Sequence, residues 1–179
     1  IIDRLEILKL RENTIVIFFS DNGGHGGVTS NAPLRGSKGM LYEGGIREPL
    51  VIKWPGVTQA GSICREPVIG VDFYPTLMEA ANVKGRKAAQ LDGLSLIPLL
   101  KDASASLDRP ALFWHFPAYL QSYARKDEQR DPLYRSRPCS IVRYGDWKLH
   151  EYFEDNGLEL YNLGKDIGET TNLAESIPE

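Results

Sequence analysis

One tripeptide occurs twice in this chain: Asp21-Asn22-Gly23, within IFFSDNGGHGG (17–27), and Asp155-Asn156-Gly157, within YFEDNGLELY (152–161). Asp and Asn offer hard oxygen donors of the kind that hold Ca²⁺ or Mg²⁺ and suit soft metals poorly. Asn-Gly and Asp-Gly are equally strong turn signals, so each copy also has a purely conformational explanation. For the first copy, residue types alone leave a metal site and an Asx-type turn on equal footing. Lys38 follows in APLRGSKGMLYEGGIREP (32–49), flanked by Gly36 and Gly39. Such a lysine lets an ammonium group and bare backbone approach an anion closely. The segment lacks the glycine that a P-loop places five residues before its Gly-Lys, and it is not a strand-to-helix G-x-G-x-x-G, so a nucleotide site is disfavoured. Glu43 and Arg47, four apart, read as an internal ion pair pinning the loop. His25, in the same glycine-rich region, reads first as an exposed loop histidine and second as a ligand contact.

Position separates the two tripeptides. TIVIFF (14–19) is a continuous β-branched and aromatic run, the pattern of a strand buried on both faces. Asp21 follows its carboxyl end, where open α/β sheets place their ligand sites. Ile1, Leu5 and Leu8 recur at helical spacing before it, and a helix followed by such a strand suggests a parallel α/β sheet. PLVIKW (49–54) reads as the next strand. VDFYPTLMEAANV (71–83) reads as a helix presenting Phe73, Leu77 and Ala80 or Ala81 on one face, with Pro75 in its first turn. LSLIPLL reads as a short helical turn. From Arg109 the pattern changes: ALFWHF, CSIVRY, WKLHEYF and LELYNL are short strands of an antiparallel meander. Asp155-Asn156-Gly157 joins the last two, where a hairpin turn explains it. The polar stretch 117–138 reads either as a functional surface loop or as a disordered one.

Bulk composition narrows the function classes. The chain has 179 residues, 42% apolar and 25% charged, with a formal net charge of −3. Its longest basic cluster is RSR, which argues against nucleic acid as the main partner. No apolar stretch reaches bilayer-spanning length, so no membrane partner is expected. The opening IIDRLEILKL lacks an initiator Met and reads as the continuation of a longer polypeptide. Cys64 and Cys139 lack CxxC spacing, which disfavours zinc and leaves open a disulfide or two thiols.

Taken in order, FFSDNGG, LRGSKGMLYEGGIREPLVIKWPG, VDFYPTLMEAANV, DGLSLIPLL and YGDWKLHEYFEDNGLELYNLGKDIGETTNLAE resemble the C-terminal part of the type I sulfatases. These belong to the alkaline-phosphatase-like superfamily. The resemblance covers essentially the whole chain. It implies an α/β fold: the end of a mixed or parallel sheet core over 1–105, then a small C-terminal α+β subdomain over 106–179 carrying the antiparallel meander. It implies that Asp21 and Asn22 match the divalent-metal ligands, usually calcium (or Mg²⁺), and that Gly23 matches a glycine of the connecting loop. Lys38 matches the lysine that binds the sulfate ester. The family's nucleophile is a formylglycine made from a Cys/Ser-x-Pro-x-Arg motif. Neither RPCSIVR around Cys139 nor GSICREP around Cys64 fits it, so the nucleophile and the first acidic metal pair are expected upstream, in the N-terminal part of the same polypeptide. In that chemistry the hydrated aldehyde attacks sulfur, a metal lowers its pKa, and a lysine neutralises charge on the transferring group.

The resemblance thus implies a sulfuric-ester hydrolase acting on a sulfated sugar or aryl sulfate. It also implies export, to a periplasmic, extracellular or lysosomal compartment. Members acting on sugars line their pocket from the small subdomain. That makes His115, in FWHFP, a candidate substrate contact beside Trp114 and Tyr119, against the alternative of a paired core histidine. His25 keeps its second reading as a substrate contact, and His150 reads as structural. A phosphatase or phosphodiesterase of the same superfamily and a non-catalytic binding module are the competing readings.

Overall fold

The computed structural model describes residues 1–83, 91–122 and 129–177. In chain order its elements are α1 (Ile2–Ile7), β1 (Val16–Phe19), α2 (Glu43–Ile46), β2 (Leu50–Lys53), α3 (Phe73–Ala80), α4 (Ile97–Lys101), β3 (Leu112–Phe116), β4 (Leu120–Gln121), β5 (Tyr134–Ser136), β6 (Cys139–Tyr144), β7 (Trp147–Tyr152) and β8 (Leu158–Asn162), with short 3₁₀ turns at Arg11–Asn13 and Gly70–Asp72. None of the described helices is long and apolar enough to cross a membrane. The result is a mixed α/β architecture with an antiparallel meander, as expected from sequence.

The chain divides by its contacts into two units that interleave in sequence. One comprises Ile1–Phe18 with Leu50–Arg109, the other Phe19–Pro49 with Pro110–Glu179. This partition differs from the contiguous 1–105 and 106–179 division, because the glycine-rich loop packs with the meander.

In the first unit β1 pairs with β2 in a two-stranded sheet. Phe18 is 64% and Val51 63% exposed, so the expected burial on both faces does not hold within these residues, since two strands cannot cover each other's faces. Asp72 organises the helical part. Its fully buried carboxylate accepts from the backbone N–H groups of Ile69 and Leu94 and from the Arg109 guanidinium, all at 2.9 Å. In α3 the buried residue is Thr76, while Leu77 is exposed. The inward position is polar because the Thr76 hydroxyl donates to Asp72 O and accepts from Leu96 N–H. The expected Phe73–Leu77–Ala80 stripe is therefore corrected.

In the second unit β3, β6, β7 and β8 form an antiparallel sheet in that order. Met40 and Tyr42 from the glycine-rich loop pack with Tyr161 and Leu163 as its buried apolar cluster. Within 117–138, β4 and β5 pair as a second small sheet; residues 123–128 lie outside the described ones. Both cysteines are free thiols. Burial, then the charge of Glu159, pushes the Cys139 thiol up to about 11, so it behaves as an apolar core group.

Candidate active-site loop and its buried supports

The second unit brings together the segments that carry Asp21, Asn22, His25 and Lys38. Ser20 N–H donates to Pro49 O at 3.4 Å, and the Ser20 hydroxyl donates to Asn22 O at 2.9 Å. Gly23 N–H then donates to Gly45 O at 3.1 Å. A Cβ on Gly23 would sit 1.9 Å from Gly44 O, so only glycine permits this approach. Lys38 N–H donates to Gly24 O at 3.1 Å, which ties the lysine's backbone directly to the Asp21 loop. Asn31 clamps the same two segments: its Oδ1 accepts from Gly24 N–H, and its Nδ2 donates to Gly24 O and Gly36 O. Asn31 was not legible from sequence, because nothing local distinguishes a clamping asparagine from a turn asparagine.

Asp21 and Lys38 are exposed and Asn22 is half-buried. Among the described residues neither the Asp21 nor the Asn22 side chain makes a hydrogen bond or ion pair. Glu48 lies beside them, and one of its buried oxygens has no hydrogen-bond partner. Burial holds the Glu48 carboxyl above its usual range, opposed by Ser20 and reinforced by the negative charge of Asp21. These hard oxygen donors fit one side of a Ca²⁺ or Mg²⁺ shell. They do not complete it, and no group of three or more His, Cys, Asp or Glu side chains among the described residues could hold a metal.

The three histidines part company. His25 is exposed, and its Nδ1 accepts a hydrogen bond from Gly27 N–H at 3.1 Å. His115 is exposed on the outer face of the sheet, 2.9 Å from Ser140 Oγ and with its ring centroid 5.7 Å from that of Phe153. It is therefore no core histidine. Its contacts lie within the meander, and among the described residues none joins it to the Lys38 loop. Trp114 alternates to the opposite face from His115, and the Tyr119 hydroxyl donates to Glu154. His150, read from sequence as structural, is buried, 3.3 Å from Glu169 and packed on Tyr42 at a centroid distance of 5.0 Å. Burial holds its pKa below the ordinary histidine value; Glu169 opposes that shift and Lys148 adds to it.

Glu43 departs furthest from expectation. Its pairing with Arg47 is present at 3.3 Å, but Arg47 is half-exposed. The stronger partner is Lys148, fully buried, at 3.0 Å from Glu43 and 2.9 Å from Glu169. Glu169 also accepts from Glu43 N–H at 2.6 Å. Burial pushes the Glu169 carboxyl up, but His150, Lys148 and that N–H outweigh it and hold it below its ordinary value. A neighbouring network joins the hydroxyls of Tyr42, Tyr152 and Tyr161 to Glu159.

The chain matches a family model described as N-sulphoglucosamine sulphohydrolase, C-terminal, over residues 37–178. It is 43% identical to a sulfatase of Formosa agariphila over 94% of this chain and 30% of that protein, and 35% identical to human steryl-sulfatase over 68% and 22%. The chain thus spans less than a third of these relatives. A solved structure in complex with its substrate D-glucosamine-2-N,6-O-disulfate superposes with a TM-score of 0.72 at 26% identity, covering 96% of this chain and 32% of that one. Another, in complex with k-i-k-neocarrahexaose, gives 0.76 at 26% identity over 98% and 35%.

Proposed function

The chain belongs to the sulfatase family, as the C-terminal part of a member of the alkaline-phosphatase-like superfamily, and from that premise we propose that the protein containing it hydrolyses sulfate esters of sugars or aryl alcohols. The observation that carries the reading is the tie between two segments. Among the described residues the Asp21 and Asn22 side chains make no hydrogen bond or ion pair, on a loop whose backbone is hydrogen-bonded to that of Lys38.

Asp21 and Asn22 would hold the divalent cation on one side. When bound, it supplies Lewis-acid polarisation of a sulfate oxygen. Lys38 meets the negative charge of the sulfate group, and Gly36 and Gly39 on either side take the positive φ, 84° and 86°, that the turn carrying it requires. The attacking group, a formylglycine in the family's pattern, would come from the N-terminal part of the polypeptide. The sugars bound in those two neighbouring structures support a sulfated glycan as substrate; His115 as a sugar contact and export of the protein complete the proposal.

The test measures inorganic sulfate released by the full-length protein from a sulfated monosaccharide and from an aryl sulfate, with a phosphonate monoester alongside. A phosphonate monoester hydrolase of Agrobacterium radiobacter also superposes, at TM-score 0.68 and 26% identity, so that arm discriminates. Higher kcat/KM on a sulfate ester supports the reading. Preference for the phosphonate, or no turnover at all, contradicts it.

A further inference from the structure

We infer that Lys148 and Glu169 are positioning residues for the Lys38 and Asp21 loops, acting through Glu43. The inference rests on the reading of Lys38, Asp21 and Asn22 given above. The three charged side chains are each at most 2% exposed and lie within 3.0 Å of one another through Lys148. They come from three distant places: a four-residue helix, a meander strand and the tail beyond β8. Buried ion pairs add little net stability over well-packed apolar groups, because desolvation offsets their attraction. Their distinguishing property is directional: an ion pair with fixed hydrogen bonds holds one geometry.

What they hold is the floor of the proposed site. Glu43 opens α2, and Gly44 and Gly45 follow it. Gly44 N–H donates to Arg35 O at 2.7 Å, and Gly45 O receives Gly23 N–H. A Cβ on Gly44 would lie 2.4 Å from Gly36 O, and one on Gly45 would lie 2.0 Å from Met40 O and 2.7 Å from Ser37 O. These two glycines are thus wedged between the backbone that carries Asp21, Asn22 and Gly23 and the backbone that carries Lys38. A displacement of Glu43 moves them both. Loss of Lys148 leaves two facing carboxylates without their shared cation, and loss of charge on Glu169 weakens the grip on Glu43 N–H. Misplacement of about 1 Å can lower turnover by about 10²-fold.

The experiment uses the full-length protein with Glu169→Gln and Lys148→Met, and with Asn156→Ala as a destabilised control whose change lies in a hairpin turn. Glu169→Gln keeps shape and an amide oxygen able to accept from Glu43 N–H, so it is the milder of the two changes and the one on which the test rests. For each folded variant, kcat and KM on an aryl sulfate and the Kd for Ca²⁺ are measured well below the melting temperature. The inference expects Glu169→Gln to lower kcat about tenfold or more, up to about 10²-fold, and to weaken Ca²⁺ binding. Asn156→Ala lowers the melting temperature and leaves both values unchanged. Wild-type kcat and Ca²⁺ affinity in folded Glu169→Gln would overturn the inference. Wild-type turnover in Lys38→Ala would instead overturn the reading of Lys38, and the inference with it.

Discussion

Asp21-Asn22-Gly23 and Asp155-Asn156-Gly157 have the same three side chains and opposite commitments. In the second copy the aspartate and the backbone are engaged by the fold, and Asn156 serves through its backbone conformation. Asp155 accepts from Gly157 N–H at 3.0 Å and from Arg130 at 2.7 Å, Asn156 takes a positive φ of 52°, and Gly157 O accepts from Tyr152 N–H. Arg130, then the Gly157 N–H, holds the Asp155 carboxyl below its usual range. In the first copy the backbone is clamped at Gly23 while the Asp21 and Asn22 side chains make no bond among the described residues. The turn spends its aspartate on its own backbone and on a neighbouring arginine. A ligand site holds its backbone and leaves the side chains for something else.

The largest effect separating the two regions is expected at Lys38. Lys38→Ala in the full-length protein should lower kcat by about 10²–10³, the loss usual for one charge-stabilising donor. Its melting temperature should stay unchanged, because the exposed side chain supports no core. Lys38→Arg should restore only part of the activity, since a planar fork replaces a compact point charge poorly. A fall in melting temperature with full activity per folded molecule would place Lys38 with the structural region instead.

The two glycines sharpen the contrast. Gly23→Ala drives a methyl into the Gly44 carbonyl, which is backbone and cannot swing away. Overpacking of this kind costs about 1–3 kcal/mol, and kcat should fall with it. At Gly157 the nearest atom to an added Cβ is Arg130 Nη2 at 2.3 Å, the end of a flexible side chain. Gly157→Ala should therefore be milder in a denaturant melt and silent in kcat; equal losses would erase the distinction.

Asn156→Ala should cost about 1 kcal/mol, since alanine lacks asparagine's tolerance of the left-handed region, and Asn156→Gly should be near neutral. Urea titration of the three proteins decides this.

The smallest expected effect is on pH dependence. The ordinary histidine pKa is 6.5, and burial lowers that of His150 in the fold. Between those two values the unfolded chain binds the extra proton, so stability is complete above the ordinary value and declines as pH falls below it. Glu169, depressed in the fold, adds a loss of the same sign at lower pH. The groups facing His150 are Glu169, Lys148, Glu159, Tyr42, Tyr152 and Tyr161. Melting temperature should drop from about pH 8 to about pH 5, and His150→Gln should flatten the upper part of that slope. An unchanged slope would show that His150 does not contribute.

Much of the fold was legible because its elements are strongly patterned: β6, β7 and β8 fall within the runs read as strands, and Asn156 turns where Asn-Gly predicts. The buried face of the meander was not. In WKLHEY and LELYN, alternation sets Leu149 or Leu158 and Leu160 against Lys148, His150, Glu159 and Tyr161, and hydrophobicity alone would bury the leucines. The structure buries the polar set, with Leu158 half-exposed. The partners that satisfy it, Glu43 and Glu169, lie far away in sequence. Long-range charge pairing leaves no local pattern, which is why spacing points Glu43 only to Arg47 and nothing local marks Glu48 or Asn31. The segments bearing Asp21, Asn22 and Lys38 were legible as a loop after a strand, whereas the backbone bond that joins them needed the structure.

The most direct measurement sets Asn22→Ala beside Asn156→Ala in the same full-length protein, reading Ca²⁺ affinity by calorimetry and kcat on a sulfate ester. Loss of most Ca²⁺ affinity and turnover in Asn22→Ala, with a near-normal melting temperature, is the predicted result, alongside full values of both in Asn156→Ala. Equal inactivation by the two changes, or unimpaired Ca²⁺ binding and turnover in Asn22→Ala, would contradict it.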